Sequence, residues 1–261
     1  MTPSSLTGTS SAQLKFMDAL KDTHANRKYT DLTIRCGDRE WQVHKVVVCA
    51  QSPFFAKACD GSFKEAGEGV ITLVEDDPRV VDAMFNYMYT FDYDESSNPD
   101  STEMPQLVFD VYVLTLADKY DMPDLAQLAT TKFGERAQSE WYNKAFAAAA
   151  ALVFTTGTSV DAQLRRIVVT VAVLNSADLN MEGIGDHFQK VVSSVPALGS
   201  ALWRKQIGAS NSCNHPGYRW CYCPTAGCNT RVLMEGARLA SQMYRCTGCD
   251  RDHQLRAWWK M

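Results

Sequence analysis

Six of the nine cysteines fall in the last 49 residues: Cys213, Cys221, Cys223, Cys228, Cys246 and Cys249. Two close pairs separated by a longer stretch are how a chain builds a tetrahedral zinc site, each pair held on a tight turn. Cys223, Cys228, Cys246 and Cys249 are the best four ligands, and Cys221 is an alternative to Cys223. Thr225, Ala226 and Gly227 permit one turn, and Thr247 with Gly248 the other. Residues 231–234 and 243–245 then read as the connecting strands of a zinc-ribbon-like hairpin. Cys213, His215, Cys221 and His253 supply donors for a second metal. Reduced structural thiols, or disulfides formed on oxidation, are the competing reading of the cluster. A site closed by four cysteines keeps no open coordination position, so its zinc would stabilise structure and not catalyse. A tail this short needs such a staple, because it cannot bury an adequate core unaided.

Elsewhere the chemistry-bearing residues are sparse. His44 sits where a strand pattern meets a helix pattern, and Asp31 opens the same hairpin. A buried imidazole beside a carboxylate can be oriented by it, and the expected role of Asp31 and His44 is a structural hydrogen bond. No phosphate-binding loop, dinucleotide fingerprint, zinc-protease helix or nucleophile triad stands out. The expectation is no catalytic residue and no enzyme.

The elements that would position these residues follow from periodicity. The 261 residues, 46% hydrophobic and 21% charged, have globular composition and room for a sizeable core. Leu14, Met17 and Leu20 recur at helical spacing from Ser11 onward. Leu32, Ile34 and Cys36 alternate with polar residues, Gly37-Asp38 signals a turn, and Trp41 and Val43 alternate again, which predicts a β-hairpin. Residues 44–59 turn helical, with a break and restart at Ser52-Pro53. A short strand at 70–73 precedes a helix opened by Asp76, Asp77 and Pro78. Residues 92–103 form an acidic loop, followed by helices at 107–119 and 123–136. Further helices are expected near 139–154, 160–176 and 184–205, the last broken at Pro196.

This order of elements carries specific motifs: YTDLTIR at 29–35, WQVHKVVVCAQSPFF at 41–55, FKEA at 63–66, ITL at 71–73, MFNYMYT at 84–90 and VLTLADKYDMPDL at 113–125. In combination they resemble the BTB/POZ family, in members of the kind common in fungi, here with a cysteine-rich C-terminal tail. The resemblance implies an α+β fold in which a small sheet is packed with helices. It implies a non-enzymatic adaptor or scaffold that binds proteins and homodimerises through its first helix. Many members recruit cullin-type ubiquitin ligase scaffolds through a hydrophobic-x-Glu triplet, and Phe63-Lys64-Glu65 matches that triplet in pattern and place. An aromatic anchor two residues from a carboxylate offers both apolar contact and charge to a partner.

The expected organisation is an N-terminal segment with a short helix (1–28), a BTB/POZ-like domain (29–137), a helical extension (138–207) and a zinc-binding tail (208–261). From Trp203 onward nine basic residues face three acidic ones, a net +6, against −10 for the rest. An acidic body with a basic, aromatic tail makes a transcriptional or chromatin regulator contacting nucleic acid the alternative function. The longest apolar run, residues 145–154, is too short to span a bilayer. The first residues lack a basic stretch followed by an apolar one, so the expected setting is cytoplasm or nucleus with no membrane contact.

Overall fold

The computed structural model describes residues 10–60, 69–94, 104–156 and 161–211, and in the tail 218–222, 225, 228, 231–235, 243–245, 249 and 251–254. Two compact units divide the chain, residues 1–199 and 200–261.

The first unit opens with α1 (Ser11–Ala25), whose Ser10 side chain accepts from the Gln13 N–H while the Gln13 side chain reaches back to Ser10. This reciprocal capping box satisfies two N–H groups that a helix start leaves open. The hairpin follows as β1 (Leu32–Cys36) and β2 (Arg39–Val43), with Ile34 opposite Trp41. Leu32, Ile34 and Cys36 are buried and the residues between them are not, as the alternation predicts. Gly37 adopts a positive φ of 57°, the conformation the turn requires.

After α2 (Lys45–Gln51) a single extended residue, Ser52, turns the chain into α3 (Pro53–Asp60). The break therefore falls at Ser52-Pro53, as expected. Strand β3 (Val70–Leu73) pairs in parallel with β1, which makes a three-stranded sheet in the order β2-β1-β3. Helix α4 (Pro78–Thr90) is capped by Asp77, which accepts from the Arg79 N–H at 2.9 Å. It buries Val81, Met84, Phe85 and Met88 as its core stripe. The pair α5 (Gln106–Lys119) and α6 (Pro123–Glu140) turns at Tyr120–Met122.

Helix α6 runs to Glu140, and the next helix, α7 (Lys144–Thr155), starts only after Asn143 caps it by accepting from the Phe146 N–H. The break lies a few residues later than periodicity placed it, because the cap and not the apolar pattern fixes the boundary. Helices α8 (Asp161–Leu174), α9 (Ser176–Leu179), α10 (Asp186–Ser194) and α11 (Pro196–Asn211) complete the helical run. Pro196 opens α11, the position where its missing N–H costs nothing. No described helix is long and apolar enough to cross a membrane.

Among the described residues of the tail, two antiparallel strand pairs form. Strand β4 (Tyr218–Tyr222) pairs with β5 (Arg231–Glu235), and β6 (Met243–Arg245) pairs with β7 (Asp252–Gln254), all antiparallel. The expected strands at 231–234 and 243–245 form. They pair with β4 and β7, however, and not with each other. In chain order Cys223 and Cys228 fall between β4 and β5, and Cys246 and Cys249 between β6 and β7.

Candidate interaction surfaces

His44 ends the hairpin and precedes α2. Its Nε2 lies 2.7 Å from the Lys28 carbonyl oxygen, which can only accept, so Nε2 carries the proton. Nδ1 then accepts from the Tyr89 hydroxyl at 2.8 Å, and the same hydroxyl oxygen accepts the His44 backbone N–H at 2.9 Å. Burial pushes the Tyr89 phenol up to about 12, which keeps it the donor this arrangement needs. Asp31 does not orient the imidazole. Its Oδ1 accepts from the Lys45 N–H at 2.7 Å and so caps α2. Both residues are therefore engaged in structural hydrogen bonds. Their partners differ from the expected pairing because a phenol 45 positions along the chain reaches the ring first.

The other face of Tyr89 receives α1. The His24 ring stacks on the Tyr89 ring with centroids 3.9 Å apart and planes 6° from parallel. Burial, then the nearby His44, hold the His24 imidazole below its ordinary value, against a smaller upward pull from Asp82. Yet no residue of α1 is buried, and Leu14 and Phe16 stand 51% and 69% exposed. Leu14 and Phe16, two positions apart, project from different sides of α1, so each leaves a separate apolar group in water for another surface to cover. Val46, on α2, is 77% exposed as well.

A groove of about 650 Å³ lies between the α2–α3 junction, the end of α4 and the α5–α6 turn. Cys49, Pro53, Tyr87, Phe91, Met122 and Leu125 are among its walls. Its mixture of aromatic and aliphatic walls with Gln51 and Asp124 suits a side chain of a protein partner. Phe63, Lys64 and Glu65 lie outside the described residues, in the stretch that follows α3.

In the tail, Cys228 and Cys249 are among the described residues, and Cys223 and Cys246 are not. The Cys249 Sγ lies 3.5 Å from Thr225 Oγ1, so the segment between β6 and β7 touches the segment between β4 and β5. Among the described residues no three metal-binding side chains converge.

A three-stranded mixed sheet packed with helices and an exposed first helix define an α+β domain. Residues 20–136 match the BTB/POZ domain family, and this part of the chain is a BTB/POZ domain. Among relatives, Kelch-like protein 41a of Danio rerio is 28% identical over 111 residues, covering 41% of this chain and 17% of the relative. Germ cell-less protein-like 2 of Mus musculus is 37% identical over 95 residues, covering 35% of this chain and 18% of the relative. The chain thus spans under a fifth of the length of these relatives. The solved BTB domain of zebrafish PATZ1 is 15% identical, with a TM-score of 0.39, covering 51% of this chain and 99% of that one.

Proposed function

We propose that this protein is a non-enzymatic adaptor of the cytoplasm or nucleus that homodimerises through α1 and presents a cullin-type scaffold with Phe63, Lys64 and Glu65. The observation that carries the reading is the exposure of Leu14 and Phe16 on α1, a helix that buries no residue of its own. A second copy packed around α1 would remove these side chains from water at roughly 25 cal/mol per Å² of apolar surface. Light scattering on the full chain gives a dimer mass, and the Leu14→Asp/Phe16→Asp variant gives a monomer with unchanged circular dichroism. A wild-type monomer at tens of micromolar (about the range where weak dimers of this kind assemble) defeats the dimer. Pulldown with a cullin N-terminal domain recovers wild type and loses Phe63→Ala and Glu65→Ala. Equal recovery of the variants, or none of the wild type, removes the cullin part and leaves the dimer standing.

The tail is proposed to hold structural zinc through Cys223, Cys228, Cys246 and Cys249. Support comes from the contact between Cys249 and Thr225, which lies between Cys223 and Cys228, and from the two strand pairs that flank the cysteine pairs. Thiolates are soft donors that suit zinc, and a four-sulfur site would supply folding energy to a small unit of two strand pairs. Metal analysis of the full chain gives about one zinc per chain. Cys249→Ser loses it, and cobalt substitution of the wild type shows thiolate-to-metal absorption. A wild-type chain free of zinc, with no thiolate band on cobalt addition, sinks the site.

A further inference from the structure

The second compact unit, residues 200–261, is charged opposite to the first. It holds nine lysines and arginines against three acidic residues, whereas residues 1–199 are net −10. Part of the positive charge stands on α11. Trp203, Arg204, Lys205 and Gln206 are all exposed, Trp203 to 66%. Four successive residues take in a whole helical turn, at about 3.6 residues per turn, so α11 meets solvent on every side there. Arg204 Nε donates to the Ser200 carbonyl oxygen one turn back, at 3.3 Å. Among the described residues no carboxylate pairs with Arg204 or Lys205. Arg251, before β7, is exposed as well. This turn therefore sets an indole and two cations in water, and none of the three is used to hold the helix to a neighbour.

Strand β4 adds a row of aromatic positions. Tyr218, Trp220 and Tyr222 alternate along it and so share one face, with Glu235, Leu233 and Arg231 opposite them on β5. Alternate positions of a strand lie about 6.7 Å apart, about twice the 3.4 Å rise per nucleotide of a stacked polynucleotide. Bases seated one to each position must come apart from one another, which a single strand allows and a duplex resists. A flexible strand also follows the exposed turn of α11 round the helix, where a rigid duplex meets one side only. We propose that residues 200–261 bind single-stranded nucleic acid, with Arg204 and Lys205 on its phosphates and its bases stacked on Trp203 and on the aromatic row of β4.

Charge and aromatic rings divide the recognition. Lysine and arginine displace counterions from phosphates, which gives affinity that falls with salt and ignores sequence. Aromatic faces accept any base, because every base has a π-face. The ligand is therefore an unpaired stretch read by its chemistry and not by a fixed sequence. Cations alone would serve an acidic protein equally well. The seven tryptophans and tyrosines among residues 200–261 decide for bases, which offer flat faces to stack on where a carboxylate side chain does not. The acidic first unit repels a polyanion, so binding is confined to residues 200–261. The proposal rests on neither the adaptor reading nor the zinc site, since Trp203, Arg204 and Lys205 belong to neither.

The full chain is titrated into fluorescein-labelled oligouridylate and oligothymidylate, each about 16 nucleotides long, the upper end of the site size of small single-strand-binding folds. Fluorescence anisotropy at low salt is expected to show saturable binding, with a duplex of the same length bound about tenfold more weakly, the worth of one stacked base. Equal binding of RNA and DNA means that phosphates and base faces suffice, and preference for one names the natural strand; each supports the site. Trp203→Ala weakens binding about tenfold at unchanged salt slope, and Trp203→Tyr recovers most of the loss. Arg204→Ala/Lys205→Ala lowers the slope of log affinity against log salt by about 1.4, at about 0.7 per lost phosphate contact. These substitutions fall at exposed positions of α11, so circular dichroism stays as in wild type. Absence of binding to either strand at low salt overturns the proposal, as do variants that bind like wild type or a duplex held as tightly as a single strand. Competition by poly-glutamate as strong as by oligonucleotide of equal charge, or equal retention on phosphatidylserine vesicles, overturns it too and assigns the surface to an acidic protein or a membrane.

Discussion

Asp110→Ala lowers the unfolding free energy of the BTB/POZ unit by about 3–5 kcal/mol, the cost of stripping a buried charge of its counter-charge. Asp110 is fully buried on α5. The Tyr93 hydroxyl donates to its Oδ1 at 2.8 Å, and Arg136 Nη1 on α6 donates at 2.6 Å. Burial pushes the Asp110 carboxyl up, and Arg136 and Tyr93 pull it back. Lys132 extends the network by stacking its ammonium 4.3 Å from the centre of the Tyr93 ring and pairing with Asp92. The network therefore joins α5, α6 and the segment that leaves α4. Alanine at 110 removes the acceptor for an arginine whose side chain is only 24% exposed and for a tyrosine that is 2% exposed. Urea unfolding followed by circular dichroism measures the loss as a fall in midpoint at unchanged slope. The apolar double variant Asp110→Leu/Arg136→Met is expected to lose less than Asp110→Ala, because no unpaired charge remains. A loss under about 1 kcal/mol for Asp110→Ala would place the pair with surface ion pairs and end this account.

What the sequence made legible was whatever rests on local pattern. The hairpin follows from Leu32, Ile34 and Cys36 alternating across one pleat, and the structure buries those three residues. The Ser52-Pro53 break and the Asp77 cap are likewise local chemistry, readable within a few residues. The BTB/POZ assignment rests on several such pieces occurring in order, and the matched residues 20–136 begin earlier than the expected 29. The added residues belong to the end of α1 and the turn after it. They join the domain through His24 stacked on Tyr89, a contact that periodicity in α1 does not reveal.

The candidate sites were less legible because their partners lie far along the chain. Sequence order points from His44 to Asp31 in the same hairpin, whereas the ring nitrogens bond Tyr89 and Lys28. Asp110 carries a signal in the sequence: an acidic residue between Phe109 and Val111 inside a strongly apolar helix. A buried carboxylate must have a partner, and that requirement alone points to a basic residue on a packed neighbour. The groove is a further step removed, since α2, α4 and the α5–α6 turn meet only in three dimensions. In the tail, spacing found the two cysteine pairs, but strand pairing depends on contacts that spacing does not encode.

Phe55→Ala costs about 3–5 kcal/mol as well, through a cavity rather than a charge. Phe55 is fully buried and holds α3 against the body of the domain. Its ring stacks on Tyr120 with centroids 5.5 Å apart and planes 11° from parallel, and it lies 6.3 Å from Phe85 on α4. Tyr120 is itself fixed, its hydroxyl donating to Asp76 and its carbonyl accepting the Ser52 hydroxyl at 2.6 Å. Tyr120, so held, cannot relax into the space a missing ring leaves, which is the condition under which a large-to-small change costs most. The two variants differ in where the loss is felt. Phe55→Ala frees the helix that carries Cys59, so alkylation of Cys49 and Cys59 under native conditions accelerates by more than global unfolding explains. Asp110→Ala, acting at the α5–α6 contact, accelerates it only in proportion to the unfolded fraction. Equal acceleration in two variants of equal stability would show that α3 moves only when the whole domain unfolds. Its aromatic anchor would then be part of the general core and not a local fastening of the groove wall.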